Sequence, residues 1–327
     1  MSVLGPSLAV RPRLLVSRCL DLEACRYDGQ VIAEPLVRAL ERHVELVPVC
    51  PEVSIGLGVP RDPIRIVAGR DGSSGHDGAA LVQPSTARDL TPDMLAFRAS
   101  FLDRAERLDG AILKARSPSC GIAGVKVFAS SADAEPAAFG RGFFAEAVIE
   151  RLGETSVADE VALADPAARD RFLTRLFTFA RLRAARDDGT AAALGRFHAE
   201  HKLLLMAHDE PALRELGPQV ASAGRQPLGD VWDRYVARFR VALARPPEPG
   251  SVANAWMHAL GYFRDAIPDD ERRAVSEALA SAGRDDAALT RGRGAIRSWT
   301  ARERTHYLST QALFWPYPEE LRTGLGL

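Results

Sequence analysis

The residues able to do chemistry cluster near the start of this chain. Four cysteines, Cys19, Cys25, Cys50 and Cys120, fall in the first 120 of 327 residues, with five, 24 and 69 residues between them. No Cys-x-x-Cys pair occurs, so the spacing is unlike a structural zinc knuckle. Separate buried thiols are one reading, since a free cysteine packs as a small hydrophobe. A shared metal site is the other. Soft thiolates in a reducing compartment suit an iron–sulfur cluster at least as well as zinc. Three ligands on a four-iron cube leave one iron open, and an open position marks a catalytic site rather than a structural one. Cys25 is then the spare: a fourth ligand, an accessory thiol or a packed bystander.

Polar residues accompany the thiols. Glu52 follows Cys50 by two positions and is a candidate general base; the rival reading is a helix N-terminal carboxylate after Pro51. Ser117 and Ser119 flank Pro118 just before Cys120; their hydroxyls orient a substrate or water, or simply build a Ser-Pro turn. In Arg26-Tyr27-Asp28-Gly29, Arg26 suits phosphate, Tyr27 stacking on a base, and Asp28 a pyrimidine edge, against a plain Asp-Gly turn. Arg61 binds phosphate or pairs with Asp62, and Lys114 ends a strand beside the expected crevice.

Strands alternating with helices must position these groups. RLLVS (13–17), VELVPV (44–49) and AILKA (111–115) read as buried strands, with further apolar runs at 64–68 and 79–83. A helical pattern spans 31–43, and Thr91-Pro92-Asp93 starts a helix reaching about Leu108. The expected fold for residues 1–155 is α/β, a Rossmann-like domain with a mostly parallel sheet. Cys19, Cys50 and Cys120 each lie just past the carboxyl end of a strand. In an open parallel sheet those ends converge on one crevice, which favours a common site. From about residue 165 the strand-like runs stop. Helical patterns at 167–185, 190–207, 211–223, 228–243, 251–266, 270–282 and 300–314 predict an all-α domain over 165–327, with GETSVADEVALADP (153–166) as the linker.

Composition sets outer bounds. With 46% hydrophobic and 26% charged residues, the chain is neither disordered nor a disulfide scaffold. No apolar run approaches the ~18 residues of a membrane helix, and the first ten residues lack a basic n-region, so a cytoplasmic protein without a membrane partner is expected. A net charge of -1 does not suggest a strongly basic polyanion binder, and no DNA partner is expected, although a local basic patch remains open. Only three basic residues are lysines, Lys114, Lys126 and Lys202.

SRCLDLEACRYDG (17–29), CPEVSIGLGVPRDPIRI (50–66) and KARSPSCG (114–121) together closely resemble the thiouracil desulfurase family. The later half, through FHAEHKLLLMAH (197–208), NAWMHALGYF (254–263) and YLSTQALFWPYP (307–318), resembles a helical domain of unknown function often fused behind it. The combination is similar to bacterial desulfidases acting on 4-thiouridine in tRNA. The resemblance implies a 4Fe-4S cluster with one open iron, held by Cys19, Cys50 and Cys120, with Cys25 outside the ligand set. It implies a non-redox reaction in which water replaces the thiocarbonyl sulfur, giving uridine and hydrosulfide. The alternatives are a desulfurase of free thiouracil or thiolated nucleotides, and a non-catalytic iron–sulfur RNA-binding protein.

In the helical half, His198 and His201 share a helix face. With Lys202 they are expected to form an RNA-facing groove, against readings as packed core residues or a metal site. Arg291, Arg293, Arg297, Arg302 and Arg304 crowd around Trp299. Arginine interleaved with an aromatic suits an RNA backbone and exposed bases, and Arg293 and Arg297 are the candidates there. Solvated helix faces would give much the same composition.

Overall fold

The computed structural model describes residues 5, 6, 10–69, 78–105, 107–303 and 306–327. The chain forms two compact units. One comprises residues 11–176 and 321–327, the other 1–10 and 177–320.

The first unit contains β1 (Arg13–Ser17), α1 (Pro35–Leu40), β2 (Glu45–Val49), α2 (Pro51–Ser54), β3 (Arg65–Val67), β4 (Ala80–Gln83), β5 (Arg88–Asp89), α3 (Thr91–Arg104), β6 (Gly110–Leu113), β7 (Val125–Phe128), β8 (Ala138–Gly140), α4 (Phe143–Leu152) and β9 (Val157–Asp159). β2, β1, β6 and β9 form an all-parallel sheet in that order. Leu14–Val16 of β1 and Ala111–Leu113 of β6 are apolar and fully buried because both faces of a central parallel strand are covered. The expected α/β architecture is therefore present. A second sheet, β5-β4-β3-β7-β8, is mixed: only β3 and β7 run parallel. The runs at 64–68 and 79–83 pair there as an antiparallel ladder rather than extending the first sheet.

Three local expectations change. The helix expected over 31–43 is confined to α1, because Pro35 can start a helix but not continue one. The helix from Thr91 ends at Arg104. The 153–166 stretch is no linker: Val157–Asp159 pairs with β6 as the edge strand of the parallel sheet.

The second unit is helical. α5 (Pro166–Asp188) carries the division between the units within its length. α6 (Ala191–His208), α7 (Glu210–Ala221), α8 (Leu228–Ala244), α9 (Pro249–Leu260), α10 (Asp269–Ala280), α11 (Asp286–Glu303) and α12 (His306–Ser309) follow, and α13 (Glu319–Gly324) carries the later division between the units. Within 300–314, where one helix is expected, α11 ends at Glu303 and α12 covers His306–Ser309. One core packs Trp232, Tyr235 and Phe239 against Phe197 and Leu194. Another gathers Trp256, Phe263, Ile296 and Phe314. No helix among the described residues is long and apolar enough to cross a membrane.

Candidate active site

Three strand ends build the site. β1 is followed by a turn in which Arg18 N–H donates to Val49 O at 2.8 Å and Ile32 N–H donates to Cys19 O at 2.9 Å. These bonds lock Cys19 beside the end of β2. Cys50 stands at the end of β2 and caps α2, where Pro51 takes the first helical position and puts Glu52 in the first turn. Beyond β6, residues 117–121 form a loop resting on the start of α4. Phe143 N–H donates to Pro118 O at 3.0 Å, and Phe144 and Ala145 N–H groups donate to Ser119 O at 2.9 and 3.0 Å. This close approach requires Gly142, whose Cβ, if present, would lie 2.5 Å from Ser119 O. The Ser117 hydroxyl accepts the Ser119 and Cys120 N–H groups, both at 3.1 Å. A helix start thus fixes the loop that presents the third thiol.

All four cysteines line one cavity of about 260 Å³. Cys19, Cys25 and Cys50 pack together, and Cys50 Sγ lies 3.7 Å from Cys25 O. Hydrogen bonding to Cys19, with burial, pushes Cys25 up to about 11. A hydrogen bond to Cys25 and burial raise Cys50, and burial raises Cys120. Among the described residues, no three His, Cys, Asp or Glu side chains gather as they would for a single metal ion. A four-iron cube spreads its cysteine ligands further apart than one ion does. An all-sulfur donor set on one cavity fits such a cluster by its chemistry.

Glu52 is held through both carboxylate oxygens at this cavity. Its Oε2 accepts from Arg61 Nη2 at 2.6 Å and Nε at 3.0 Å. Its Oε1 accepts from Ser119 Oγ at 3.1 Å and Ser117 Oγ at 3.4 Å. The Arg61 and Glu52 side chains are only 6% and 13% exposed. Arg61 also donates from Nη1 to Cys25 O at 3.0 Å and Gly58 O at 3.2 Å. Arg61 was a candidate phosphate ligand, or a partner of Asp62. It is instead committed to Glu52 and to the loop carrying Cys25, because burial makes an unpaired guanidinium costly.

The 2-thiouracil desulfurase family profile matches residues 14–160, spanning every residue described so far in this site. The YbgA protein of Escherichia coli, itself uncharacterized, is 34% identical over 157 residues, 47% of this chain and 93% of its own length. The uncharacterized YbbK of Bacillus subtilis is 34% identical over 110 residues, 33% of this chain and 72% of its own. The chain belongs to the 2-thiouracil desulfurase family. A second profile, of a protein family of unknown function (DUF1722), matches residues 202–318. The solved structure of a 4Fe-4S-dependent thiouracil desulfidase, TudS, aligns with 47% of this chain and 94% of its own at 29% identity, with a TM-score of 0.36.

The remaining candidates separate in this desulfurase-family chain. Arg26, Tyr27 and Lys114 line the cavity. Tyr27 is 45% exposed, with the Arg26 guanidinium 5.6 Å from its ring centroid. Asp28 is not a cavity residue. Its carboxylate accepts Gln30 N–H at 3.1 Å and pairs with Arg26 at 3.3 Å, while Gly29 supplies a φ of 72°. This is the plain Asp-Gly turn, in place of the expected pyrimidine contact. The Lys114 ammonium is held by Glu160 at 2.6 Å and its neighbour's carbonyl at 2.9 Å. Among the polar lining residues, Ser17, which receives Lys114 N–H at 2.9 Å, and Arg116 escaped the sequence reading as site candidates. Ser17 was findable, as the last residue of the strand leading to Cys19.

In the helical unit the expected RNA groove does not form as drawn. His201 is 0% exposed. Its ring stacks on Phe197 at 4.0 Å, Nδ1 donates to Phe197 O at 2.7 Å, and Nε2 accepts from Arg181 Nε at 3.3 Å. His198 is half-buried against Tyr235 OH at 3.1 Å, and burial pushes it down to about 4. Only Lys202 of the three is exposed. Arg293 and Arg297 are half-buried and lie over the Trp256 ring, both 5.9 Å from its centroid. Trp299 is buried against Phe263 and offers no stacking face to a base. The helical period turned these aromatics inward. Arg304 lies outside the described residues.

Proposed function

We propose that the chain is an iron–sulfur-dependent, non-redox desulfidase that replaces the sulfur of a thiolated uracil with oxygen. The preferred form is 4-thiouridine in tRNA, giving uridine and hydrosulfide. One observation carries the reading: thiols from three strand ends share a cavity with a carboxylate gripped by an arginine and two serines. Cys19, Cys50 and Cys120 would hold the 4Fe-4S cluster, with Cys25 outside the set. When bound, the cluster supplies a soft Lewis acid for the thiocarbonyl sulfur.

The chain's own groups do the rest. Glu52 takes a proton at Oε1 from the water that attacks the thiocarbonyl carbon. The Ser117 hydroxyl, on that oxygen at the cavity wall, orients the water and carries the proton toward the departing sulfur, and the buried Ser119 hydroxyl positions Oε1. The water oxygen becomes the carbonyl, and the C–S electron pair leaves with hydrosulfide. Arg61 holds Oε2, so that Oε1 stays with the serines. Tyr27 offers a stacking face to the base. The extension to tRNA rests on the two-part chain, whose later region resembles the domain fused in tRNA desulfidases.

The test is iron and acid-labile sulfide on protein purified anaerobically, beside a Cys19/Cys50/Cys120→Ser triple variant, followed by sulfide release from thiolated tRNA and free thiouracil. About four of each per chain, lost in the variant, with faster release from tRNA, is the expected result. Zinc, or no metal after anaerobic reconstitution, overturns the mechanism. Release from free thiouracil alone keeps the chemistry and rejects tRNA.

A further inference from the structure

Ser17 sits where the three thiol-bearing strand ends meet. It closes β1, and its backbone pairs in register with Val49, the residue before Cys50. Its carbonyl accepts Leu20 N–H at 2.9 Å, which closes the turn carrying Cys19. On the other side of β1, the register with β6 runs as far as Val16 and Ile112. Past that point Lys114 N–H donates to Ser17 Oγ at 2.9 Å, so a side chain stands in for a ladder carbonyl. Ser17 is 1% exposed and lines the cavity together with Cys120.

The Ser17 hydroxyl still has its proton to place. A buried donor needs an acceptor, and Lys114 N–H is itself a donor. The acceptor is the Cys120 side chain. Burial raises the Cys120 thiol, and the hydrogen bond from Ser17 pulls it the other way, as a donor to a thiolate does. The other two serines of the site, Ser117 and Ser119, donate to Glu52 instead.

We infer that Ser17 is a positioning residue for the cluster: its hydroxyl donates to the Cys120 sulfur, holding that ligand in place and drawing charge away from the iron it binds. This rests on the iron–sulfur reading above. A thiolate that accepts a hydrogen bond gives less charge to iron, which favours the reduced cluster and raises its potential. The same withdrawal leaves the iron a better acceptor for a soft sulfur.

The experiment uses the full chain loaded with iron and sulfide under anaerobic conditions, unaltered and as Ser17→Ala and Ser17→Thr. Redox titration gives the reduced-to-oxidised ratio at a fixed potential, a chelator gives the rate of iron release, and resonance Raman spectra in H2O and D2O give the isotope shift of the Fe–S bands. In Ser17→Ala the ratio should fall about fivefold, iron release should quicken by about tenfold, and the isotope shift should shrink. Ser17→Thr keeps the hydroxyl and should keep all three. A residue that only joined the strands would change iron release without moving the ratio or the isotope shift, and that outcome overturns the inference. If Ser17→Ala does not fold, because Lys114 N–H loses its acceptor, the unaltered protein decides alone. A fast-exchanging hydroxyl proton coupled to the reduced cluster in double-resonance spectra supports the inference, and its absence overturns it. If no iron–sulfur cluster forms in the unaltered chain, the inference falls with the reading beneath it. A cluster that forms but is indifferent to Ser17 overturns the inference and leaves that reading standing.

Discussion

Each unit buries an arginine against a hydrogen-bond acceptor, and the two arrangements differ in what is left over. In the α/β unit Arg61 grips one oxygen of Glu52, and the other oxygen accepts from Ser117 at the cavity wall and from the buried Ser119. In the helical unit Arg181 donates to His201, to Thr178 Oγ1 at 3.3 Å and to Pro316 O at 2.8 Å, and His201 spends its second nitrogen on Phe197 O. The first cluster stands beside space a substrate can enter. The second is consumed by its own chain. Similar residue types therefore serve chemistry in one unit and packing in the other, and the deciding variable is whether the hydrogen-bonding capacity closes on itself.

The sharpest way to break this contrast is Glu52→Gln. The amide keeps the size of the side chain but cannot take a proton, so kcat for sulfide release from the folded protein should fall by about 10²- to 10⁴-fold, while loss of the buried ion pair to Arg61 also lowers the unfolding temperature. A fall in stability with activity intact would make Glu52 a packing residue like His201.

Arg181→Met is the converse. It leaves Pro316 O and His201 Nε2 without their donor and should cost about 3 kcal/mol of stability, read by denaturant unfolding. Turnover of free thiouracil should be unaffected in the fraction that remains folded. Unchanged stability would show that the network is not holding the helices together.

The smallest effect is the dependence of stability on pH. Burial holds His201 well below its ordinary range, helped by the charge of Arg181, and burial with Lys202 nearby holds His198 at about 4. Both are neutral in the folded chain, while the unfolded chain takes up protons near pH 6.5. Stability from this pair is full above that value and is lost as pH falls toward 4, by up to about 1.4 kcal/mol per histidine for each unit of pH. Unfolding followed between pH 7.5 and 4.5 should show this slope, and His198→Gln should flatten it. An identical slope in that variant would assign the acid sensitivity to other groups.

Legibility differed between the units for a physical reason. Short apolar strands and cysteines just past their ends are local signals, and a parallel sheet turns them into one site by a general rule. β1, β2 and β6 lay close to their expected positions. β9 was missed because a three-residue edge strand leaves almost no periodic trace, so Val157–Asp159 read as linker. The helical half offered the right element type but no facing. His201 and Trp299 sit in sequences rich in arginine and alanine, where polar and buried faces look alike until neighbouring helices choose between them.

Residue identity and order alone determined the α/β-then-helical organisation, the thiols at strand ends and the carboxylate beside Cys50, because these depend on covalent spacing and secondary-structure period. Tertiary structure alone decided which charges are spent. Asp28 turned to its own loop, Arg61 to Glu52, Lys114 to Glu160, and Arg116 was left without a carboxylate among the described residues. A salt bridge between residues as far apart as Lys114 and Glu160 leaves no mark in sequence spacing. It exists only once the chain has folded and the cost of burying a charge has selected its partner.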